Sequence, residues 1–243
     1  MSVRLLGLDF ADLDVTAVAE TIAQRDPGAP FRYVVTPNAD HLVRLARRPE
    51  LAAAYHGAWL RLLDSRVVAR TARALGLTVP RLAPGSDVTA LLLAAHLKPQ
   101  DRVTIIGLRP SRLAALVARY RLTAVAHCDP PMGFADDPAA VRTVIAFVIA
   151  NPARFTFLAV GSPRQEMLAA AIAATGQASG VGLCIGASLD FLSGAVVRAP
   201  AWMRGAGLEW LHRLATDPRR LARRYLVDDP AVFGLLFRQR WRG

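Results

Sequence analysis

The stretch FTFLAVGSPRQEMLAAAIAATGQASGVGLCIG (residues 155–186) decides the fold of this 243-residue chain. It contains two apolar runs, at 155–161 and 180–186, on either side of a helical stretch at 163–174. Both runs are apolar almost throughout rather than alternating, which is typical of strands covered on both faces. A strand, a glycine turn, a helix and a second strand form the unit from which parallel sheets are built, so this stretch predicts a parallel sheet.

The same alternation extends over most of the chain. Further strands are predicted at 31–36, 59–64, 102–107 and 123–129, and further helices at 39–55, 66–75, 86–97, 110–120 and 138–150. Regular alternation implies right-handed crossovers, so we predict an α/β fold with a Rossmann-like, mostly parallel sheet flanked by helices. Strand signals stop near residue 195. We therefore predict an α/β body (1–195) followed by a helical, arginine-rich appendage (196–243).

Polar residues and glycines collect where the apolar runs end. They include Thr36, Asn38, Asp64, Gly161, Gln165, Glu166 and Asp190. Open parallel sheets bind ligands beyond the carboxyl ends of their strands, so these residues predict a polar site at one edge of the sheet. Within VGSPRQEM (160–167), the glycine permits close backbone approach, and Arg164 at a helix N-terminus favours phosphate.

Two of these residues have a structural alternative. Asp64 ends the run WLRLLD (59–64), and a carboxylate in a cleft can serve as general base for a hydroxyl nucleophile. Its alternative is the N-cap of the helix that begins near Ser65. Asn38 in TPNADH (36–41) can cap the following helix, bind a ligand or do both, because a helix N-terminus with free N–H groups also attracts anions.

The chain carries a formal charge of +11, which indicates an anionic partner such as a phosphorylated ligand, an acidic lipid or a nucleic acid. Much of this charge lies in RAPAWMRGAGLEWLHRLATDPRRLARRY (198–225), where arginines are interleaved with tryptophan and leucine. Guanidinium suits phosphate oxygens and tryptophan favours a membrane surface, so the segment indicates phosphate chemistry near lipid. The alternative is a helix docked through its aromatic face with its arginines in water.

The motifs that are missing narrow the function further. The sequence has no Walker loop, G-x-G-x-x-G fingerprint, nucleophile elbow or D-x-D pair, so we expect neither a cofactor nor a metal site. It has no nucleic-acid-binding motif, which makes nucleic-acid binding a minor alternative. Its two cysteines suit a reducing cytosol, and it has no signal peptide and no apolar run of about 18 residues. We therefore expect a cytoplasmic protein with peripheral membrane contact at most.

Seven motifs occur in a fixed order along the chain: TPNADHLVRLARRPELAAAY, RLLDSRVVARTARALG, VPRLAPGSD, HCDPPMGF, VGSPRQE, GASLDFLSG and RAPAWMRGAGLEWLHRLATDPRRLARRY. Together they cover residues 31–227 and resemble the WecG/TagA/CpsF glycosyltransferases, glycosyltransferase family 26. The resemblance implies an inverting, metal-independent enzyme that moves a sugar from a UDP-sugar to a polyprenyl-diphosphate-linked saccharide at the cytoplasmic membrane face. Its product would belong to wall teichoic acid, surface antigen or exopolysaccharide, while the donor sugar and the oligomeric state are left open.

The resemblance also implies roles for individual residues. They are Asp64 as catalytic base, Thr36 and Asn38 beside it, Arg81 and Gln165 lining the donor and acceptor pocket, and Arg213, Arg220 and Arg223 at the nucleotide diphosphate. The chain departs from the family at Ser65, where glycine is usual and allows close approach or a special backbone angle. This departure raises the alternative of a catalytically altered member that binds only lipid or a partner.

Overall fold

The computed structural model describes residues 1–242, with side chains described for residues 1–241. The strands are β1 (Ser2–Leu5), β2 (Leu8–Ala11), β3 (Arg32–Val35), β4 (Leu60–Arg61), β5 (Val103–Gly107), β6 (Val125–Cys128), β7 (Phe155–Ala159) and β8 (Val181–Cys184). The helices are α1 (Val15–Ala23), α2 (Ala39–Arg47), α3 (Ala52–His56), α4 (Arg66–Ala74), α5 (Gly85–Leu91), α6 (Pro110–Tyr120), α7 (Pro138–Ala150), α8 (Arg164–Ala174), α9 (Ser188–Leu192), α10 (Ala201–Ala206), α11 (Glu209–Thr216), α12 (Pro218–Arg223) and α13 (Ala231–Arg242). Short 3₁₀ turns lie at Pro49–Leu51 and Phe134–Asp136, and π turns at Leu92–His96 and Arg224–Asp228.

Six strands form one sheet in the order β4-β3-β8-β7-β5-β6, and every neighbouring pair is parallel. The predicted α/β fold with a parallel sheet is confirmed. Strands β1 and β2 form a separate antiparallel hairpin that the sequence analysis missed. The hairpin turns at Leu6 and Gly7, both with positive φ. Leucine is an unusual residue there, so the sequence carries no recognisable turn signal.

Helices cover both faces of the sheet and create two cores. One core joins the sheet to α1, α5, α6 and α9 through buried side chains such as Val18, Val88, Leu116 and Leu189. The other joins it to α2, α3, α4, α7, α8 and α13 through side chains such as Leu42, Tyr55, Val68, Val148, Leu168 and Leu236. Neighbouring residues of one strand serve opposite cores: Phe157 belongs to the first and Leu158 to the second. This double coverage explains why the central strands are mostly apolar rather than alternating.

The predicted helix over 39–55 is wrong in its middle. Helix α2 ends at Arg47, and Arg48 leaves the helical region at φ −134° and ψ 77°. The ring of Pro49 disfavours helical backbone in the residue before it, which ends the helix at this point. The chain then continues through the 3₁₀ turn into α3. The predicted strand over 59–64 is also shorter, because only Leu60–Arg61 pairs regularly with β3.

Within residues 1–242 no strand follows β8, as predicted for the C-terminal part. The last helix packs against the body: Val232 and Leu236 are 1% and 0% exposed and belong to the second core described above. The side-chain oxygen of Gln239 also accepts a hydrogen bond from the backbone N–H of Leu6 at 2.7 Å. The domain boundary near residue 195 stays a prediction. None of the helices in the described part of the chain combines the length and the apolar character needed to cross a bilayer.

Candidate active site

The carboxyl ends of the central strands open into a cleft of about 820 Å³, which the segment from α10 to the first turn of α13 also lines. Most of the predicted site residues line this cleft: Thr36, Asn38, Asp64, Gly161, Gln165, Asp190, Arg213 and Arg220. The polar edge of the sheet and the arginine-rich segment, which lie far apart in the sequence, therefore meet at one place.

Asp64 lies three residues beyond the end of β4, and both its backbone and its side chain bond to backbone groups. Its backbone N–H donates to the carbonyl of Pro37 at 3.0 Å, and its Oδ2 accepts a hydrogen bond from the N–H of Gly85 at 3.1 Å. The N-cap of α4 is Ser65, whose hydroxyl accepts from the N–H of Val68 at 3.2 Å. The capping alternative for Asp64 is therefore wrong, and its carboxylate is available to the cleft.

The surroundings of Asp64 raise its pKa to about 7, against an ordinary 3.8. Burial is the main cause, because it disfavours the charged form, and the hydrogen bond from Gly85 opposes it. The carboxylates of Glu209 and Asp87 raise the pKa further, whereas the guanidinium of Arg213 lowers it. A carboxylate with this pKa exchanges protons near neutral pH, which is the range a general base needs.

Ser65 fits its position without strain. Its backbone lies at φ −156° and ψ 108°, an extended conformation that any residue adopts. The serine also supplies the helix cap that glycine would lack. The special backbone angle that motivated the alternative of an altered enzyme is therefore not required here.

Thr36 supports Asp64 indirectly, because its side chain lies close to the backbone of Gly85. A Cβ atom added to Gly85 would lie 2.8 Å from Oγ1 and 2.9 Å from Cγ2 of Thr36. Only glycine permits this approach, and the approach brings the Gly85 N–H to the Asp64 carboxylate. Thr36 and Gly85 therefore set the position of the carboxylate.

Asn38 is the N-cap of α2, and the capping interpretation is confirmed. Its Oδ1 accepts from the N–H of His41 at 3.4 Å, and Nδ1 of His41 accepts from the N–H of Asn38 at 3.0 Å. Burial lowers the pKa of His41 to about 3, so the ring is neutral at physiological pH. The same Oδ1 of Asn38 lies 3.4 Å from Nη2 of Arg224, which places Asn38 where the helix meets the cleft.

The turn between β7 and α8 brings backbone close to the cleft. Gly161 has φ +77°, and a Cβ there would lie 3.3 Å from the guanidinium of Arg164. Gln165 is buried, with Oε1 accepting from the N–H of Gly186 at 3.0 Å and Nε2 donating to Glu166 at 2.8 Å. Glu166 is 2% exposed and lies behind the cleft rather than in its lining. These bonds fix the Gln165 amide and join the turn after β7 to the turn after β8.

Eight arginines line the cleft, and most of them face carboxylates. Arg198 lies 2.6 Å and Arg204 3.5 Å from Asp87, for example. Within the described residues, three of the eight form no ion pair with a carboxylate: Arg66, Arg164 and Arg213. The guanidinium of Arg213 lies over the ring of Phe191, 5.1 Å from its centre. The cleft therefore holds positive charge that is not neutralised by the protein.

No cluster of His, Cys, Asp and Glu suited to a metal ion occurs in the part of the chain that the structure describes. His41 and Glu166 form a buried pair 3.8 Å apart.

Comparison with known proteins shows what kind of enzyme has this cleft. The sequence model of the Glycosyl transferase WecG/TagA/CpsF family matches residues 3–243, essentially the whole chain. The chain belongs to this family. As a WecG/TagA/CpsF member it is a glycosyltransferase of cell-surface polymer synthesis, which transfers a sugar from a donor to an acceptor. The resemblance seen in the motifs of residues 31–227 is thus confirmed at the level of the family.

The structure of this WecG/TagA/CpsF glycosyltransferase does not bring Arg81 to the cleft, which corrects its predicted position. The backbone N–H of Arg81 donates to Asp12 at 2.9 Å, and its guanidinium lies 3.1 Å from Asp14. Both partners lie between β2 and α1, and the side chain of Arg81 is 64% exposed. Arg81 therefore joins the loop before α5 to the N-terminal region instead of lining the cleft.

Arg223 is also placed differently from the prediction. Its side chain is 87% exposed and lies 3.9 Å from Asp228, outside the cleft lining. The next residue, Arg224, lines the cleft instead. Successive residues of a helix point about 100° apart, and the sequence does not tell which of two adjacent arginines faces the body. Arg66, the first residue of α4, also lines the cleft and was not predicted. Its position just after the strand end at Asp64 was the only sign of this in the sequence.

Proposed function

We propose that this WecG/TagA/CpsF member is an inverting transferase that moves a sugar from a UDP-sugar to a polyprenyl-diphosphate-linked saccharide. The observation that carries the proposal is Asp64: a carboxylate with a pKa near 7, in a cleft that also holds three arginines without carboxylate partners. One base and a concentration of positive charge are the two requirements of this reaction.

Asp64 acts as the general base in a single displacement. Its carboxylate accepts the proton of the acceptor hydroxyl while that oxygen forms a bond to the anomeric carbon of the donor sugar. The bond from the anomeric carbon to the diphosphate oxygen breaks on the opposite face, and UDP leaves with the electron pair. Because attack and departure are on opposite faces, the configuration at the anomeric carbon inverts.

Positive charge in the cleft stabilises the departing diphosphate. Arg164 is the first residue of α8, so its guanidinium and the helix N-terminus act together on an anion near Gly161. Arg66 and Arg213 contribute further unpaired guanidiniums, and guanidinium is well suited to bidentate contact with phosphate oxygens. We propose that these groups supply the charge for which other transferases use a divalent cation, so that added chelator leaves the rate unchanged.

Exposed side chains add apolar surface to the C-terminal segment (residues 196–241), which supports contact with a membrane. Large side chains there are well exposed: Trp202 at 68%, Leu226 at 60%, Val227 at 65%, Phe237 at 50% and Trp241 at 84%. Aromatic side chains favour the lipid headgroup region, and an acceptor on a polyprenyl diphosphate is anchored in lipid. We propose that this surface places the cleft at the cytoplasmic face of the membrane.

A panel of UDP-sugars tests the proposed function. Each is incubated with the full chain and a short-chain polyprenyl-diphosphate disaccharide, and the lipid product is read by mass spectrometry. The proposal predicts that at least one UDP-sugar extends the acceptor by one sugar and releases one UDP, with or without chelator. Transfer only from donors that carry another nucleotide, or only with an added metal ion, would contradict it.

A further inference from the structure

One carboxylate, that of Asp40, is shared by two arginines from different parts of the chain. Asp40 lies in the first turn of α2, and its Oδ2 accepts a hydrogen bond from Arg44, one helical turn later. The same oxygen lies 3.5 Å from Nη2 of Arg224 in the C-terminal segment. The side chains of Asp40 and Arg224 are only 15% and 30% exposed, so solvent screens this contact less than a surface ion pair.

Each of the two arginines also holds a residue of the cleft. Nη2 of Arg224 donates to Oδ1 of Asn38 at 3.4 Å, and Nη1 of Arg44 donates to the hydroxyl of Ser162 at 2.9 Å. Ser162 follows Gly161 in the turn between β7 and α8. Asp40 therefore stands at the centre of contacts that run from the C-terminal segment, through α2, to the turn after β7 that lines the cleft.

The carboxylate of Asp40 is one of two that face the guanidiniums at this centre. A second carboxylate, that of Asp229, lies 3.9 Å from Nε of Arg224 and is 14% exposed. Without the charge of Asp40, Arg44 and Arg224 would face each other with Asp229 as the remaining counter-charge beside Arg224. Two like charges in a partly buried place repel, so the side chains would move apart.

We propose that Asp40 is a positioning residue for sugar transfer. Through Arg224 and Arg44 it holds Asn38 and Ser162 at the cleft, and it links their positions to the docking of the C-terminal segment. The inference rests on the proposed function only in naming sugar transfer as the reaction that Asp40 affects. The hydrogen bonds that carry the inference join residues of the protein only.

The same interface supplies a matched control. Arg47, three residues after Arg44 on α2, also bridges to the C-terminal segment, with Nη1 3.0 Å from Oδ1 of Asp228. Arg47 is outside the cleft lining and its side chain is 54% exposed. Arg47→Gln and Arg224→Gln therefore each remove one positive charge at the interface between α2 and the segment, but only Arg224→Gln also removes a contact with a residue of the cleft.

Hydrogen–deuterium exchange of the substrate-free protein tests the positioning directly. In Asp40→Asn and Arg224→Gln, exchange is expected to rise in peptides that span residues 36–41 and 160–166, relative to the unmodified protein. In Arg47→Gln, exchange in both peptides is expected to stay unchanged. The proposal is overturned if Asp40→Asn leaves the 160–166 peptide unchanged, or if Arg47→Gln produces the same rise.

Kinetics then measure the consequence for transfer. Asp40→Asn and Arg224→Gln are each expected to lower kcat about tenfold with a much smaller change in the Kd for UDP, and the double variant is expected to be no slower than the slower single variant. Arg47→Gln stays within about twofold of the unmodified protein. Additive losses in the double variant would contradict the shared role. If the unmodified protein transfers no sugar from any UDP-sugar, the proposed function fails, and the exchange measurement alone decides the role of Asp40.

Discussion

The carboxylate of Asp64 accepts a hydrogen bond from the backbone N–H of Gly85 at 3.1 Å, and this is its one backbone partner in the described structure. The bond fixes the direction of the carboxylate, while burial raises its pKa to about 7. The hydrogen bond from Gly85 therefore acts on both properties of the carboxylate, because it sets its direction and also opposes the rise in pKa that burial causes.

The pH dependence of transfer is expected to follow Asp64. A general base works in its deprotonated form, so kcat/KM should rise with pH and level off above an apparent pKa near 7. The two charged neighbours should shift this value in opposite directions. Arg213→Gln removes a group that lowers the pKa and should move the profile to higher pH, whereas Glu209→Gln should move it to lower pH. Profiles that shift in the same direction in both variants would contradict this assignment.

Stability is expected to improve when Asp64 loses its charge. The folded-state pKa of about 7 lies above the ordinary 3.8, so the folded state binds this proton more tightly than the unfolded state. The contribution of this proton to the free energy of unfolding is fully present below about pH 4 and is lost as pH rises to about 7. Asp64→Asn should therefore raise the thermal unfolding midpoint at pH 8 by about 3 °C or more, with the gain shrinking towards pH 4. A lower midpoint at pH 8 would show that the carboxylate is not destabilising.

Gly85→Ala is expected to disturb both packing and the base. The new Cβ would lie 2.8 Å from Oγ1 of Thr36, and such overpacking costs about 1–3 kcal/mol. The backbone shift that relieves the clash also moves the N–H away from Asp64, so kcat should fall more than stability alone would explain. Gly205→Ala in α10 is the control, because a Cβ there meets no atom within 4 Å. Denaturant unfolding and kcat of the two variants check this, and equal effects at both positions would refute it.

Arg66 and Arg70 offer a comparison within one helix. Arg66 lines the cleft without a carboxylate partner among the described residues, whereas Arg70, one turn later, donates to the backbone carbonyls of Gly205 and Ala206. Loss of one charged hydrogen bond to phosphate weakens binding about tenfold, so Arg66→Gln should raise the Kd for UDP by about that factor. Arg70→Gln should leave the Kd unchanged. Calorimetry with UDP checks both, and an unchanged Kd in Arg66→Gln would remove Arg66 from the anion site.

The strands and their ligand-binding edge were predictable because burial on both faces leaves a direct mark on composition. The runs that became β7 and β8 are apolar almost throughout, and the polar residues that follow them line the cleft. Asp64 could be selected in the same way, as the one carboxylate at the end of the run 59–64. Its raised pKa could not, because the main cause is burial in the folded cleft, to which Glu209 and Arg213 are brought from a segment more than a hundred residues away in the chain.

The two arginines that were predicted at the cleft and lie elsewhere depend on orientation and tertiary contacts rather than on pattern. Arg223 and Arg224 are identical in type, and only the packing of the C-terminal segment against α2 directs Arg224 into the cleft. Arg81 was assigned to the cleft by resemblance, but Asp12 and Asp14 hold it at the N-terminal region. The break at Pro49 was visible in the sequence, and the rule for the residue before proline would have found it.

The central claim is that Asp64 removes the proton of the acceptor hydroxyl, and Asp64→Asn tests it most directly. The amide keeps the shape of the side chain and an oxygen that can accept from Gly85, but it cannot take the proton. Transfer is measured as lipid product from the active UDP-sugar, beside calorimetric titration of the same protein with UDP. The account predicts a loss of kcat of about 10²-fold to 10⁴-fold with a Kd for UDP close to that of the unmodified protein. Turnover within about tenfold of the unmodified protein, with UDP still bound, would contradict it.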